Sequence, residues 1–220
     1  MPTAIAEFEK ALEENERDYG VQLTSPARKR LGRYYELLRK WNERLHLVAP
    51  CSPAEFATRH VLESLVMIRH LSHEARVADV GSGAGLPIIP SLVVREDLQA
   101  ILIESAARKA VFLREALRAT GCEQRAQVIA RRFQDTVVRD SNFVSCRALD
   151  RFESLLPALV DWSPEISAFL VFAGEELVER IRMLFTSVAA EKLPNSERRF
   201  LVVAQGRRAA SLSSREGLLI

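Results

Sequence analysis

The sequence predicts an α/β protein: a doubly wound, Rossmann-like parallel sheet preceded by a helical cap. Three observations carry this expectation. Val77, Ala78 and Val80 make a short apolar run that ends at once in glycines at alternate positions, Gly81, Gly83 and Gly85. An apolar stretch long enough for a helix, Leu86 to Val94, comes next, and a second β-rich run, Ala100 to Ile103, then closes on an acid, Glu104. Further on, apolar runs alternate with amphipathic ones, as repeated βα units require. In such sheets ligands bind beyond the carboxyl ends of the strands. Glycine is needed there because the backbone must turn tightly and approach the ligand closely, which a Cβ would obstruct.

Taken in order, Thr3 to Tyr19 carries Ile5, Phe8 and Leu12 at helical spacing, and Gly20 closes the pattern. Thr24, Ser25 and Pro26 open a second helix. Its apolar stripe is Leu31, Tyr34, Leu38, Trp41 and Leu45, and its opposite face is basic: Arg28, Lys29, Arg30, Arg33, Arg39 and Lys40. Pro50 and Pro53 break the chain before a third helix, Ala54 to Leu71. Residues 1–74 therefore read as a helical cap, and 75–208 as the sheet domain. After Glu104 a helix spans Ala106 to Thr120 and stops at Gly121. The remaining strands are expected at Gln127–Ala130, Phe143–Cys146, Ile166–Phe172, Ser187–Ala190 and Arg199–Ala204. Helices are expected at Phe152–Trp162 and Glu175–Leu184, and residues 209–220 read as a tail, disordered or loosely attached.

Composition narrows the class of protein. Among 220 residues, 48% are hydrophobic and 27% charged, as in an ordinary soluble globular chain. The net charge of +2 gives no global basic field, so any nucleic-acid contact must come from local clusters. Cys51, Cys122 and Cys146 lack Cys-x-x-Cys spacing and suit reduced thiols. His70 and His73 have no further ligand nearby, so they read as a solvated helix end and no metal is expected. The acidic, amphipathic start is unlike a signal peptide, and no apolar run reaches the ~18 residues of a membrane span. A cytoplasmic protein is expected.

The glycine turn reads as a nucleoside-cofactor site. A dinucleotide fingerprint would place its third glycine at position 86, which is Leu86. Asp79 stands two residues before the first glycine, where a carboxylate suits a cationic ligand and would repel a pyrophosphate. S-adenosylmethionine, a sulfonium with an amino-acid tail and no pyrophosphate, fits better than a nicotinamide dinucleotide. Glu104 can accept both ribose hydroxyls. A nicotinamide-dependent oxidoreductase stays open as the other cofactor reading.

Several separated motifs resemble one family. Trp41-Asn42, then Arg59-His60-Val61-Leu62-Glu63-Ser64-Leu65, the glycine stretch running into Leu86-Pro87 and Pro90, Glu104-Ser105 with Arg108-Lys109 and Phe112-Leu113-Arg114, Arg131, and Arg147-Ala148 occur in this order. The chain from about Trp41 to Ala204 is similar to the RsmG, or GidB, family of bacterial enzymes that methylate N7 of a guanine in 16S ribosomal RNA. The resemblance implies a class I S-adenosylmethionine-dependent methyltransferase fold, with 16S RNA or the small ribosomal subunit as partner; a monomer is expected. It implies cofactor contacts at Gly81, Leu86, Arg132, Phe133 and Arg147, with Ser82, Gly83, Gly85, Glu104 and Ser105 completing the set. Arg147, after the fourth strand, is expected at the cleft mouth near the reacting atoms. Arg131 is expected to fix a phosphate or the base O6, and Arg108, Lys109 and Arg131 to bind RNA, in one rim with Arg28, Lys29, Arg33 and Arg132.

Three positions depart from the family pattern: Phe133 where a glutamate is usual, Ala173 where a lysine is usual, and Ile88 in place of a glycine. They leave open a relative that keeps the fold and binds RNA or ribosomes with an altered substrate or without methyl transfer. His60, with Glu63 three residues on, reads as a half-buried histidine bonded to backbone; the other reading is that it packs under the glycine loop or touches substrate.

Overall fold

The computed structural model describes residues 3–147 and 152–208. Helix α1 (Ala4–Asn15) starts at Thr3, whose hydroxyl accepts from the Ala6 amide, and continues through a 3₁₀ turn to Gly20, held at φ +68°. Helix α2 (Ser25–Leu45) is capped by Thr24 and ends where His46 turns left-handed. The third helical segment, α3 (residues 53–70), is not the uniform helix its periodicity suggests. It is α-helical over Pro53–Glu55 and Glu63–Leu65, π-helical over Phe56–Leu62 and 3₁₀ over Val66–His70.

Seven strands follow: β1 (Arg76–Val80), β2 (Gln99–Ile103), β3 (Ala126–Ile129), β4 (Phe143–Arg147), β5 (Ala168–Ala173), β6 (Phe185–Lys192) and β7 (Phe200–Arg207). They pair in the order β3-β2-β1-β4-β5-β7-β6. The first five run parallel, and β7 is antiparallel to both its neighbours. Helices α4 (Ile88–Val94), α5 (Ala107–Thr120), α6 (Phe152–Trp162) and α7 (Glu175–Leu184) connect them. The order reverses between β1 and β4, which creates the crevice where a doubly wound sheet binds ligand.

Alternation along each strand divides the core. Val77, Leu102, Phe143 and Leu170 face one side, packed with α1, α2, α3, α4 and α5. Ala78, Val80, Ile103, Val144 and Val171 face the other, against α6 and α7. The helices before residue 74 thus share one continuous apolar core with a face of the sheet, anchored by Phe8, Leu12, Tyr34 and Phe56, all buried.

Some boundaries differ from the expectation. Ile166 is not the first residue of β5: the Ser167 amide bonds back to the Pro164 carbonyl, and this turn leaves Ile166 85% exposed. Strand β3 ends one residue earlier than expected, and β6 and β7 are longer. Gly206 and Arg207 still belong to β7, while the expected tail at 209–220 lies outside the described residues. Of the two histidines expected to be solvated, His73 is exposed, while His70 is half-buried with its Nε2 3.0 Å from Glu191 Oε2 of β6. Among the described residues, no helix is long and apolar enough to cross a membrane.

Candidate active site

A cleft of about 940 Å³ opens at the carboxyl ends of β1, β2 and β4. Its floor is the glycine turn. Gly81, Gly83 and Gly85 hold φ of +71°, +50° and +83°, conformations that side chains with a Cβ rarely adopt. At Gly85 a Cβ would also lie 2.9 Å from Ile89 Cγ1, and closer still to Ile89 Cδ1. The turn's amides are spent internally. Those of Gly81 and Ser82 donate to the Ile103 carbonyl at 2.9 and 3.2 Å, and that of Gly85 donates to the Ser82 carbonyl at 2.6 Å. The Gly83 amide donates to Glu104 Oε2 at 2.9 Å. A pyrophosphate nest needs free amides aimed at the ligand; this turn has spent those four.

Glu104 occupies the centre of the cleft wall, 7% exposed, with its other oxygen accepting from the Ala106 amide at 2.8 Å. An ionised carboxylate has about four acceptor positions, so two remain for a ligand's hydroxyls. The residues therefore suit an adenosine-type cofactor that brings a ribose and no phosphate. Asp79 lies beneath the turn, 1% exposed, on the face that β1 turns toward the helices. Ser145 donates to its Oδ1 at 2.6 Å, and among the described residues Oδ2 has no partner. Burial pushes its carboxyl up to about 7, so it is not the free anion at the cofactor's tail that its position in the sequence suggests. Tyr34 supports the turn from α2, its buried phenol donating to the Ala84 carbonyl at 2.7 Å.

On the β4 side the cleft meets α3. Arg147 is 14% exposed, and its guanidinium turns onto α3 rather than out to the mouth. Nη1 donates to the His60 carbonyl at 3.3 Å and to Ser64 Oγ at 3.0 Å, while Nη2 donates to the Arg59 carbonyl at 2.7 Å and to Glu63 Oε2 at 3.3 Å. Arg199 pairs with both oxygens of Glu63 at 2.8 Å. His60 is half-buried beside this cluster and lines the cleft. It is not bonded to backbone: among the described residues its ring has no hydrogen-bond partner, and Nδ1 is shut off from solvent. Burial, with the Arg147 and Arg59 guanidiniums, pushes its imidazole down to about 4.

The cleft gathers Gly81, Ser82, Gly83, Leu86, Glu104, Ser105, Arg131, Arg132, Phe133 and Arg147 from separate parts of the chain, together with Lys109. Gly85 shapes the turn from inside. Arg108 is exposed next to Lys109 on the first turn of α5. Phe133 is 5% exposed, with Trp162 edge-on to its ring at 5.5 Å, so most of the ring is consumed by packing. Arg28 leaves the expected basic rim: it turns inward onto Glu16 at 3.1 Å and Glu13 at 3.6 Å of the first helical hairpin. The sequence reading missed the wall formed by His46 to Ala49, which Asn42 holds by accepting from the Val48 amide at 2.9 Å and donating to its carbonyl at 3.1 Å. It also missed Tyr34's role. A tyrosine in an otherwise apolar stripe was the available signal, since a buried hydroxyl seeks a partner. A second hollow, about 410 Å³, lies at the opposite ends of the strands beside Arg76 and Gln99 and has no glycine turn.

This strand order, with its antiparallel seventh strand and glycine turn, defines a Rossmann-like, class I S-adenosylmethionine-dependent methyltransferase fold. The same fold occurs in the crystal structure of the S-adenosylmethionine-dependent methyltransferase SibL in its apo form, with a TM-score of 0.57 at 14% identity over 91% of this chain and 74% of that one. It occurs also in M. jannaschii TYW2 in complex with AdoMet, with a TM-score of 0.52 at 15% identity over 67% of this chain and 74% of that one. The chain belongs to the GidB family, rRNA small subunit methyltransferase G, whose family model matches residues 27–207. It is 34% identical over 167 residues to the ribosomal RNA small subunit methyltransferase G of Nitrosomonas europaea, covering 74% of this chain and 78% of that one. The protein of the same name from Halorhodospira halophila is 33% identical over 175 residues, covering 80% and 83%.

Proposed function

We propose that this chain transfers a methyl group from S-adenosylmethionine to N7 of a guanine in small-subunit (16S) ribosomal RNA, acting in the cytoplasm as a monomer. The observation that carries the cofactor assignment is the glycine turn with its amides bonded internally and Glu104 at its centre, a cradle for a ribose and not for a diphosphate. Bound there, S-adenosylmethionine supplies an electrophilic methyl on a sulfonium. The free lone pairs of Glu104 would accept from the two ribose hydroxyls. Gly81 and Gly83 would let the backbone come close to the methionine part. Arg132 and Phe133, beyond β3, would border the adenine end, and Arg147 would close the β4 end.

Guanine N7 carries a lone pair and no proton. Its attack on the methyl that bound S-adenosylmethionine would supply, with the sulfur leaving as a neutral thioether, would need no base to remove a proton. The protein's task is alignment, which can lower a barrier by roughly 7–11 kcal/mol. Arg147, fixed by Glu63 and α3, positions the wall against which the base lies. Arg131 and Arg132, both exposed, and Lys109 are placed to meet RNA phosphates, with Arg108 beside them. Single-stranded RNA presents splayed bases to such a cleft.

The test is methyl transfer from labelled S-adenosylmethionine to deproteinised small-subunit RNA and to intact small subunits, with N7-methylguanine mapped by strand cleavage. Incorporation at one guanine N7 is expected, as is loss of cofactor binding in Glu104→Ala by calorimetry. Calorimetric binding of NAD in place of S-adenosylmethionine, or incorporation elsewhere than a guanine N7, would overturn the assignment.

A further inference from the structure

We infer that His60 reads O6 of the target guanine, donating a hydrogen bond from Nε2 to that oxygen while the adjacent N7 faces the methyl donor. The inference rests on the methyltransferase reading above and adds a specificity-determining residue to it.

Position is the first ground. The sheet order sets Glu104, after β2, on one side of the glycine turn and Arg147, after β4, on the other. With the ribose at Glu104 and the adenine toward β3, the reacting end of the cofactor lies toward β4. His60 lines the cleft at that end, its own carbonyl accepting from both Arg147 and Ser64. It sits in the π-helical turn Phe56–Leu62, and π turns within helices are frequent at functional sites.

The second ground is an imidazole that no neighbour engages. Among the described residues the His60 ring has no hydrogen-bond partner; Nδ1 is closed to solvent, so Nε2 is the nitrogen still open to a ligand. The Phe56 ring, 5.2 Å away, packs against the imidazole, and the Arg147 and Ser64 bonds hold its backbone. The ring is therefore oriented without using either nitrogen. A neutral imidazole has one donor and one acceptor. Among the described residues Nδ1 has neither donor nor acceptor beside it, and a buried N–H without an acceptor is the costlier fault, so the proton belongs on Nε2, the nitrogen that is not closed off.

Charge is the third ground. Arg59 and Arg147 flank His60, with Glu55 and Arg199 farther off, and burial with the two nearer guanidiniums keeps the imidazole neutral at physiological pH. A cation there would repel the sulfonium and withdraw density from N7. A neutral N–H does neither. Guanine offers O6 and N7 as neighbouring acceptors, whereas adenine offers a donor in the place of O6. Donor facing donor leaves a buried group unpaired, which is the strongest basis for rejecting an analogue.

The experiment is a double-mutant cycle between protein and base. His60→Ala and His60→Gln are assayed on small-subunit RNA carrying guanine, or 2-aminopurine, which keeps N7 and lacks O6, at the mapped position. His60→Ala is expected to lower kcat/KM on guanine by roughly 10- to 100-fold, with the Kd for S-adenosylmethionine changed less than twofold. His60→Gln, which can still donate, is expected to recover part of that loss. On 2-aminopurine the His60→Ala and wild-type rates should coincide. An equal His60→Ala loss on both bases would overturn the inference, as would a loss confined to cofactor affinity. Wild-type transfer to guanine N7 is read in the same assay. Its absence would overturn the underlying function itself, and its presence with additive losses would overturn only the role of His60.

Discussion

Replacing Glu63 by glutamine removes the one carboxylate that holds two guanidiniums between α3, β4 and the segment before β7. Glu63 is 1% exposed, and Arg147 and Arg199 approach its two oxygens at 2.8 to 3.3 Å. Burial pushes the Glu63 carboxyl up while the two arginines hold it down. Removing one partner of a buried pair costs about 3–5 kcal/mol, because the remaining charge is stranded away from water. Arg199, with a third of its side chain exposed, recovers solvent, so its share is small. Arg147, 14% exposed, cannot. The lower end, about 3 kcal/mol, is therefore expected, with Tm lowered on the order of 10 °C for a chain of this size. Urea and thermal unfolding at pH 8 measure it. Because Arg147 would lose its anchor, kcat should fall as well while the protein stays folded. A stability change under about 1 kcal/mol would show that the cluster is solvated and does not join the helices to the sheet.

Gly85→Ala forces a Cβ onto a backbone at φ +83° and against Ile89 and Leu113. Left-handed strain of about 1–2 kcal/mol and overpacking of about 1–3 kcal/mol add to a loss of roughly 2–5 kcal/mol with weaker cofactor binding; an unchanged melt would refute the packing. Asp79 has a folded value of about 7, above its unfolded value of 3.8. Between those values the unfolded chain sheds its proton first, so stability should decline by about 1.4 kcal/mol per pH unit, to a ceiling of about 4 kcal/mol, and level off above. Asp79→Asn, which keeps the acceptor for Ser145, should therefore stabilise the protein most at pH 8, by less than half as much at pH 5, and hardly at all below about pH 4; equal shifts at pH 5 and pH 8 would contradict the burial argument. Neutralising Arg108 and Arg131 together should weaken RNA binding and flatten its salt dependence by about 0.7 per lost phosphate contact, read from affinity titrations at several salt concentrations. An unaltered slope would remove them from the RNA path.

The chain's local features were legible because each depends on neighbours in sequence. Strand β1, the alternate glycines with positive φ, helix α4 and the acid closing β2 all lie within residues 76–104, and their order alone announces the βαβ unit. Helix ends at Gly20 and Gly121 were equally plain, since a left-handed residue stops a helix wherever it occurs. Motif order carried the family.

What the tertiary structure alone decided are pairings between residues far apart in the chain. Tyr34 looked like one more apolar stripe residue until its hydroxyl met Ala84. Arg147 looked like a free cation until α3 supplied four acceptors, and Arg28 until the first hairpin folded it onto Glu16. Charge and hydropathy are properties of a residue, whereas pairing and burial depend on which distant segment arrives beside it. Periodicity could therefore place the cleft's backbone, and only packing could say which of its side chains are still free to meet a ligand.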